Sequence, residues 1–187
     1  MRVYFSASLY PGEEFQSRYK KIVSFLVNNG YDVFEDTTKT SYSKYSKFSD
    51  KENKSKYVNA LSWIKKCDFA VFEASFPSSI SIGYEISVAL GKGKPIIVMY
   101  QEDKSPRFMM ANKNSMIIYA KYADLKDGSG IERALVEPLM RIRDKVNTRF
   151  NMFVPSSLMA YLDWVTKDRG VNKSEYVRSL IDDKNII

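Results

Sequence analysis

The stretch from Cys67 to Tyr100 constrains the fold more tightly than any other part of this 187-residue chain. Phe69-Ala70-Val71-Phe72 is a short, wholly apolar run, as a strand buried on both faces of a sheet requires. Pro77, with Ser78, Ser79 and Ser81, turns the backbone out of that strand. The pattern predicts a helix from Ser81–Gly83 to Gly91–Gly93, then a strand from Ile96 to Tyr100. Strand, helix, strand in that order gives a right-handed crossover between parallel strands. Ligands of such folds sit outside the carboxyl ends of the strands. Glu85 is expected in the first turn of the helix, aimed at that crevice, with Glu73 ending the preceding strand. A first-turn acid can act solely on the helix dipole. A second carboxylate at the same mouth, and the close backbone approach that Gly83 permits, suggest chemistry instead. Paired carboxylates are the equipment of glycosidic-bond cleavage.

A similar unit opens the chain. Arg2 to Ala7 reads as a strand, and Ser6, Ser8 and Gly12 lead into a helix from Glu13 to Asn29. Phe15, Tyr19, Ile22, Val23 and Leu26 recur there at helical spacing, and Asn29-Gly30 closes it. Tyr31 to Phe34 is the next strand, with Asp36 just beyond its end. A helix over Tyr57–Lys66, a fifth strand over Met116–Tyr119 and a helix over Ile131–Lys145 complete the domain. Residues 1–145 are therefore expected to form a doubly wound, Rossmann-like or flavodoxin-like α/β domain with a mostly parallel five-stranded sheet. Between them, Thr37 to Lys56 carries six lysines against Asp50 and Glu52, with Tyr42, Tyr45 and Phe48 among serines. It reads either as a solvated loop or as a lid whose lysines attract phosphate and whose aromatics cover a base.

Composition removes whole classes of function. The absence of histidine excludes a Ser-His-Asp triad, a Cys-His pair and any histidine-ligated metal. Proton transfer must fall to Asp, Glu, Tyr or Lys, and neither metal nor cofactor is expected. The net charge of +7 suits an anionic ligand or nucleic acid. No apolar run approaches the ~20 residues of a membrane span. Met1-Arg2-Val3 enters a strand at once, leaving no room for a signal peptide. One cysteine, Cys67, permits no internal disulfide, so a cytoplasmic protein is expected.

Asp68 to Glu85, followed by Gly93-Lys94-Pro95, resembles the signature of the nucleoside 2-deoxyribosyltransferase-like family, which includes the 2′-deoxynucleoside 5′-monophosphate N-glycosidases. Val3-Tyr4-Phe5-Ser6-Ala7-Ser8 resembles that family's first strand and ligand loop, and the similarity covers residues 1 to about 125. It implies a nucleoside or nucleotide ligand, with Glu85 attacking C1′ or stabilising its developing charge. Tyr4, Ser6, Ser8, Asp36, Ser78, Ser81 and Gly83 would surround sugar and phosphate. Ser115 matches a family serine that reaches the phosphate of a neighbouring subunit's ligand. Two positions depart from the pattern. Ala60 stands where family enzymes carry an aspartate three residues before the tryptophan matched by Trp63, and Tyr10 stands where family hydrolases carry an arginine. Glu73 or Asp36 is then the candidate replacement acid. The departures set a second function beside N-glycosidic hydrolysis or transfer: a nucleotide-sensing DNA-binding regulator that has lost its chemistry. A TIR-like NAD-cleaving domain also uses a helix-borne glutamate, but the ordered motif set fits it less well.

Beyond Val146 the texture changes. Thr148 to Val154 alternates as a strand, Pro155-Ser156-Ser157 opens a helix to about Asp168, and Asn172 with Glu175 starts another through Asp182. Residues 148–187 thus resemble the ribbon-helix-helix family. A unit of this size with one lone strand cannot form a stable core, whereas two copies can. The resemblance implies a homodimer or higher homo-oligomer. It also implies contact with double-stranded DNA through Arg149, Asn151 and Phe153 on the ribbon and through Lys173 and Ser174 at a helix start. Six basic against five acidic side chains here make a weak basic footprint, so dimerisation without DNA binding stands beside that reading.

Overall fold

The computed structural model describes residues 1–9, 13–123, 129–146 and 153–182. The chain divides into two compact units, Met1–Asn147 and Thr148–Ile187.

The first unit is a five-stranded, wholly parallel sheet of β1 (Arg2–Ala7), β2 (Asp32–Phe34), β3 (Phe69–Glu73), β4 (Ile96–Gln101) and β5 (Ile117–Tyr122). The strand order is 2-1-3-4-5, the flavodoxin-like arrangement, whose direction of winding reverses between β1 and β3. Side chains alternate between the two faces of a strand, and here the alternation sorts the core into two layers. Val3, Phe5, Phe69, Val71, Ile97 and Met99 pack under α1 (Glu13–Asn28) and α6 (Ser129–Lys145). Tyr4, Ala70, Phe72, Ile96 and Val98 pack under α3 (Asp50–Lys66) and α4 (Ile80–Gly91). Tyr19, Ile22 and Leu26 of α1 and Leu135 and Ile142 of α6 are fully buried. Gly30, at φ +81°, lets the chain leave α1 through the left-handed region and enter β2.

The element boundaries revise several expectations. α4 starts at Ile80, so Glu85 lies in its second turn and the dipole role, confined to the first turn, does not apply. α3 starts at Asp50 rather than Tyr57, because Ser49 and Glu52 form a complete capping box: the Ser49 hydroxyl accepts from the Glu52 amide, and the Glu52 carboxylate accepts from the Ser49 amide. The Thr37–Lys56 segment is structured accordingly, with a 3₁₀ turn at Thr37–Lys39 and a short α2 (Tyr42–Tyr45) before α3. Between β4 and β5 lies another short helix, α5 (Arg107–Met110). No helix among the described residues is long and apolar enough to cross a membrane.

The second unit contains α7 (Ser156–Arg169) and α8 (Lys173–Asp182), joined through Gly170 at φ +66°. Asn172 Oδ1 accepts from the Glu175 amide at 2.9 Å and its Nδ2 donates to the Glu175 carboxylate at 3.2 Å, the expected reciprocal start of α8. Its core is Leu162, Val165 and Tyr176 with Val171 against them. The expected strand falls largely on residues outside those described, and Phe153 and Val154 are not in a strand.

Candidate active site

A cavity of about 760 Å³ opens at the carboxyl ends of β1 and β2, beside the reversal point of the sheet. Alternation along β1 sends Tyr4 and Ser6 to the α3/α4 side, where α4 brings Glu85 to meet them. The Tyr4 hydroxyl donates to Glu85 Oε2 at 3.0 Å, and the Ser6 hydroxyl also hydrogen-bonds this carboxylate. Burial pushes the Glu85 carboxyl above its ordinary range, the bonds from Ser6 and Tyr4 oppose that, and Asp36 adds a further upward push. Tyr4 is itself driven upward by burial and then by the Glu85 charge, so its phenol stays protonated and remains a donor.

Much of the cavity lining is aromatic. Trp63 stacks on Phe34 at 6.4 Å and lies 6.2 Å from the Tyr4 ring. Tyr57 of α3 and Tyr84 of α4 stack at 6.1 Å with their hydroxyls 3.0 Å apart, bridging the two helices. Tyr42 and Tyr45 of α2 continue this lining. Lys56 Nζ contacts Asp36 Oδ2 at 2.9 Å and lies 5.8 Å from the Tyr45 ring.

Of the residues singled out from sequence, Tyr4, Ser6, Ser8, Asp36, Ser81 and Glu85 all line this cavity. Ser78 and Gly83 line a neighbouring cavity of about 630 Å³ instead. A Cβ added at Gly83 would meet nothing within 4 Å, so within this chain no close approach demands glycine there. Ser115 is exposed and lines neither cavity.

Glu73 requires a correction. It is 1% exposed and does not line the Glu85 cavity. One residue beyond Phe72, it turns to the α1/α6 side, where its Oε1 accepts from the Ser75 hydroxyl, from the Ser75 amide at 3.3 Å and from the Tyr122 hydroxyl at 3.0 Å. Burial raises its proton affinity, and the donors only partly offset this. It braces the ends of β3 and β5.

Ala60 lines the cavity, so the position offers a methyl group and no carboxylate. Tyr10, Arg149 and Asn151 lie outside the described residues. Phe153 is fully exposed, Lys173 and Ser174 are exposed, and Lys173 is paired with Asp163 at 2.5 Å. Sequence reasoning missed Asn53, Tyr57 and Leu61 as cavity residues. The Ser49-x-x-Glu52 box would have found them, since starting the helix there puts 53, 57, 60 and 61 on one face.

No family model matches the chain. A protein of Syntrophotalea carbinolica, provisionally named 2′-deoxynucleoside 5′-phosphate N-hydrolase 1, is 30% identical over 131 residues, covering 68% of this chain and 88% of that protein. A counterpart of the same provisional name in Methanococcoides burtonii is 28% identical over 127 residues, covering 67% of this chain and 95% of its own length. The structure of the CMP N-glycosidase BcmB of Clostridium botulinum superposes with a TM-score of 0.53 at 18% identity, over 72% of this chain and 98% of that one. The five-stranded parallel sheet is thus the fold that this chain shares with that structure. On its similarity to the Syntrophotalea protein, the chain belongs to the 2′-deoxynucleoside 5′-phosphate N-hydrolase family.

Proposed function

We propose that this protein hydrolyses the N-glycosidic bond of a 2′-deoxynucleoside 5′-monophosphate, with Glu85 as nucleophile. The observation that carries the reading is the presentation of Glu85 by the Tyr4 and Ser6 hydroxyls into an aromatic-walled cavity. Glu85 attacks C1′ as the C1′–N bond breaks and its electron pair leaves with the base. A glycosyl ester of Glu85 results. Water then attacks C1′, its hydroxyl stays on the sugar, its proton passes to the departed base, and the Glu85 carboxylate is restored. Burial favours this step, because a carboxylate stripped of water is a stronger nucleophile, while the two hydroxyl donors fix its direction. The Tyr42, Tyr45, Tyr57 and Tyr84 wall offers rings on which a base can stack. Ser8 and Ser81 supply hydroxyls for sugar or phosphate. Incubation with 2′-deoxynucleoside monophosphates followed by chromatography tests the reading: free base appears with the wild type and disappears with Glu85→Gln. Release undiminished by that substitution sinks it.

A second reading concerns the C-terminal unit, which we propose dimerises with its counterpart in another copy of this chain. Leu158, Tyr161 and Trp164, spaced at three on α7, and Val177 and Leu180 on α8 remain 36–63% exposed around a very small core. Units of this size rarely hold a fold without such help. The exposed Lys173 is already paired with Asp163, which favours association over phosphate contact.

A further inference from the structure

Lys56 is the only basic side chain among the described residues lining the cavity, and the nucleotide reading leaves it without a role. It sits on the α3 face that also carries Ala60, one helical turn away, with its side chain 25% exposed. Its partner Asp36, just past the end of β2, is held at 2.9 Å. A lysine ammonium has three donors, and the Asp36 contact occupies one.

We infer that the Lys56–Asp36 pair is the base-reading element of the site, with Lys56 donating to a carbonyl oxygen on the leaving base. The inference rests on the nucleotide reading and deepens it. Two observations favour a base carbonyl over a phosphate. Asp36 largely neutralises Lys56, and a dianionic phosphate placed there would meet the Asp36 carboxylate, whereas a neutral carbonyl meets no such repulsion. Aromatic surfaces adjoin the pair: Tyr45 lies beneath Lys56 Nζ, and Tyr57 follows it directly on α3. When the C1′–N bond breaks, the departing electron pair spreads onto the carbonyl oxygens of an oxo base such as uracil, thymine or guanine. A fixed ammonium there strengthens its hydrogen bond as that charge develops. Adenine offers no carbonyl and gains nothing from it.

Calorimetric titration of the full chain tests this in a Glu85→Gln background, which removes the nucleophile. The probes are 2′-deoxyuridine 5′-monophosphate, 2′-deoxyadenosine 5′-monophosphate and 2-deoxyribose 5-phosphate. Lys56→Met is expected to weaken the uracil nucleotide about tenfold or more, as loss of one charge-assisted bond implies, while changing the other two by less than about twofold. Lys56→Arg, which keeps a donor, is expected to retain most of the preference, and unchanged melting temperatures show that folding is intact. Equal weakening of all three probes would make Lys56 a phosphate anchor and overturn the inference, as would no change in any. If none of the three binds even with Lys56 in place, the nucleotide reading itself fails, an outcome distinct from both.

Discussion

Removing the Tyr122 hydroxyl isolates the brace that distinguishes Glu73 from a catalytic acid. Tyr122 and Glu73 are each 1% exposed, and their contact is 3.0 Å. A hydrogen bond to an ionised acceptor contributes about 1.5–3 kcal/mol, and one to a neutral acceptor about 0.5–1.5 kcal/mol. Tyr122→Phe keeps the ring and removes only the donor. The expected loss is therefore about 2 kcal/mol where Glu73 is ionised, falling to about 1 kcal/mol where it is protonated. At about 2–4 °C per kcal/mol for a chain of this size, the melting temperature drops by about 4–8 °C with Glu73 ionised and by roughly half that with it protonated. The direction follows from linkage. Folded Glu73 holds its proton above the ordinary 4.5, so its contribution is complete below that value and is lost as pH rises through the folded one. The Tyr122 bond restrains that rise, so its removal costs more at high pH. Differential scanning calorimetry of both proteins at alkaline pH, above the raised Glu73 titration, and below 4.5 reads the effect. An equal drop at the two pH values, or none, would refute the brace.

Other consequences follow from the same geometry. Glu85 must be ionised to attack, so kcat/KM should rise with pH through an inflection above the ordinary carboxylate value of 4.5. Asp36→Asn removes a charge that raises this inflection and should lower it, whereas Tyr4→Phe removes a bond that lowers it and should raise it; pH–rate profiles of the three proteins settle the order. Trp164→Glu, at a side chain 63% exposed, should shift the full chain toward a smaller species in light scattering coupled to gel filtration. An unchanged mass would remove the proposed contact between C-terminal units.

Much of the first unit was legible because its signals were local and repeated. Apolar runs at Phe69–Phe72 and Ile96–Tyr100 and the helical spacing of Phe15, Tyr19 and Ile22 gave the layers, and the crossover rule gave the parallel direction of the strands but not their order. Glu85, Tyr4, Ser6, Ser8, Asp36 and Ser81 converge from segments far apart in sequence because Ser6, Ser8 and Asp36 sit at or just past the ends of β1 and β2, Tyr4 lies on the same face of β1 as Ser6, and α4 supplies the other two. Glu73 misled because a strand-end carboxylate was assigned to the crevice without counting parity. Phe72 already faced the α3/α4 layer, so its neighbour had to face away. The tyrosine wall was only half visible, since Tyr57 and Tyr84 are brought together by the packing of α3 against α4, which no spacing within either helix encodes.

The central claim is that Glu85 forms a bond to C1′. The most direct measurement is intact-protein mass spectrometry, with peptide mapping, after rapid mixing with a 2′-deoxynucleoside monophosphate and acid quench. The account predicts a transient adduct of one deoxyribosyl phosphate on the peptide carrying Glu85, absent from Glu85→Gln. Base release with no adduct at any time, or an adduct that survives Glu85→Gln, would contradict it.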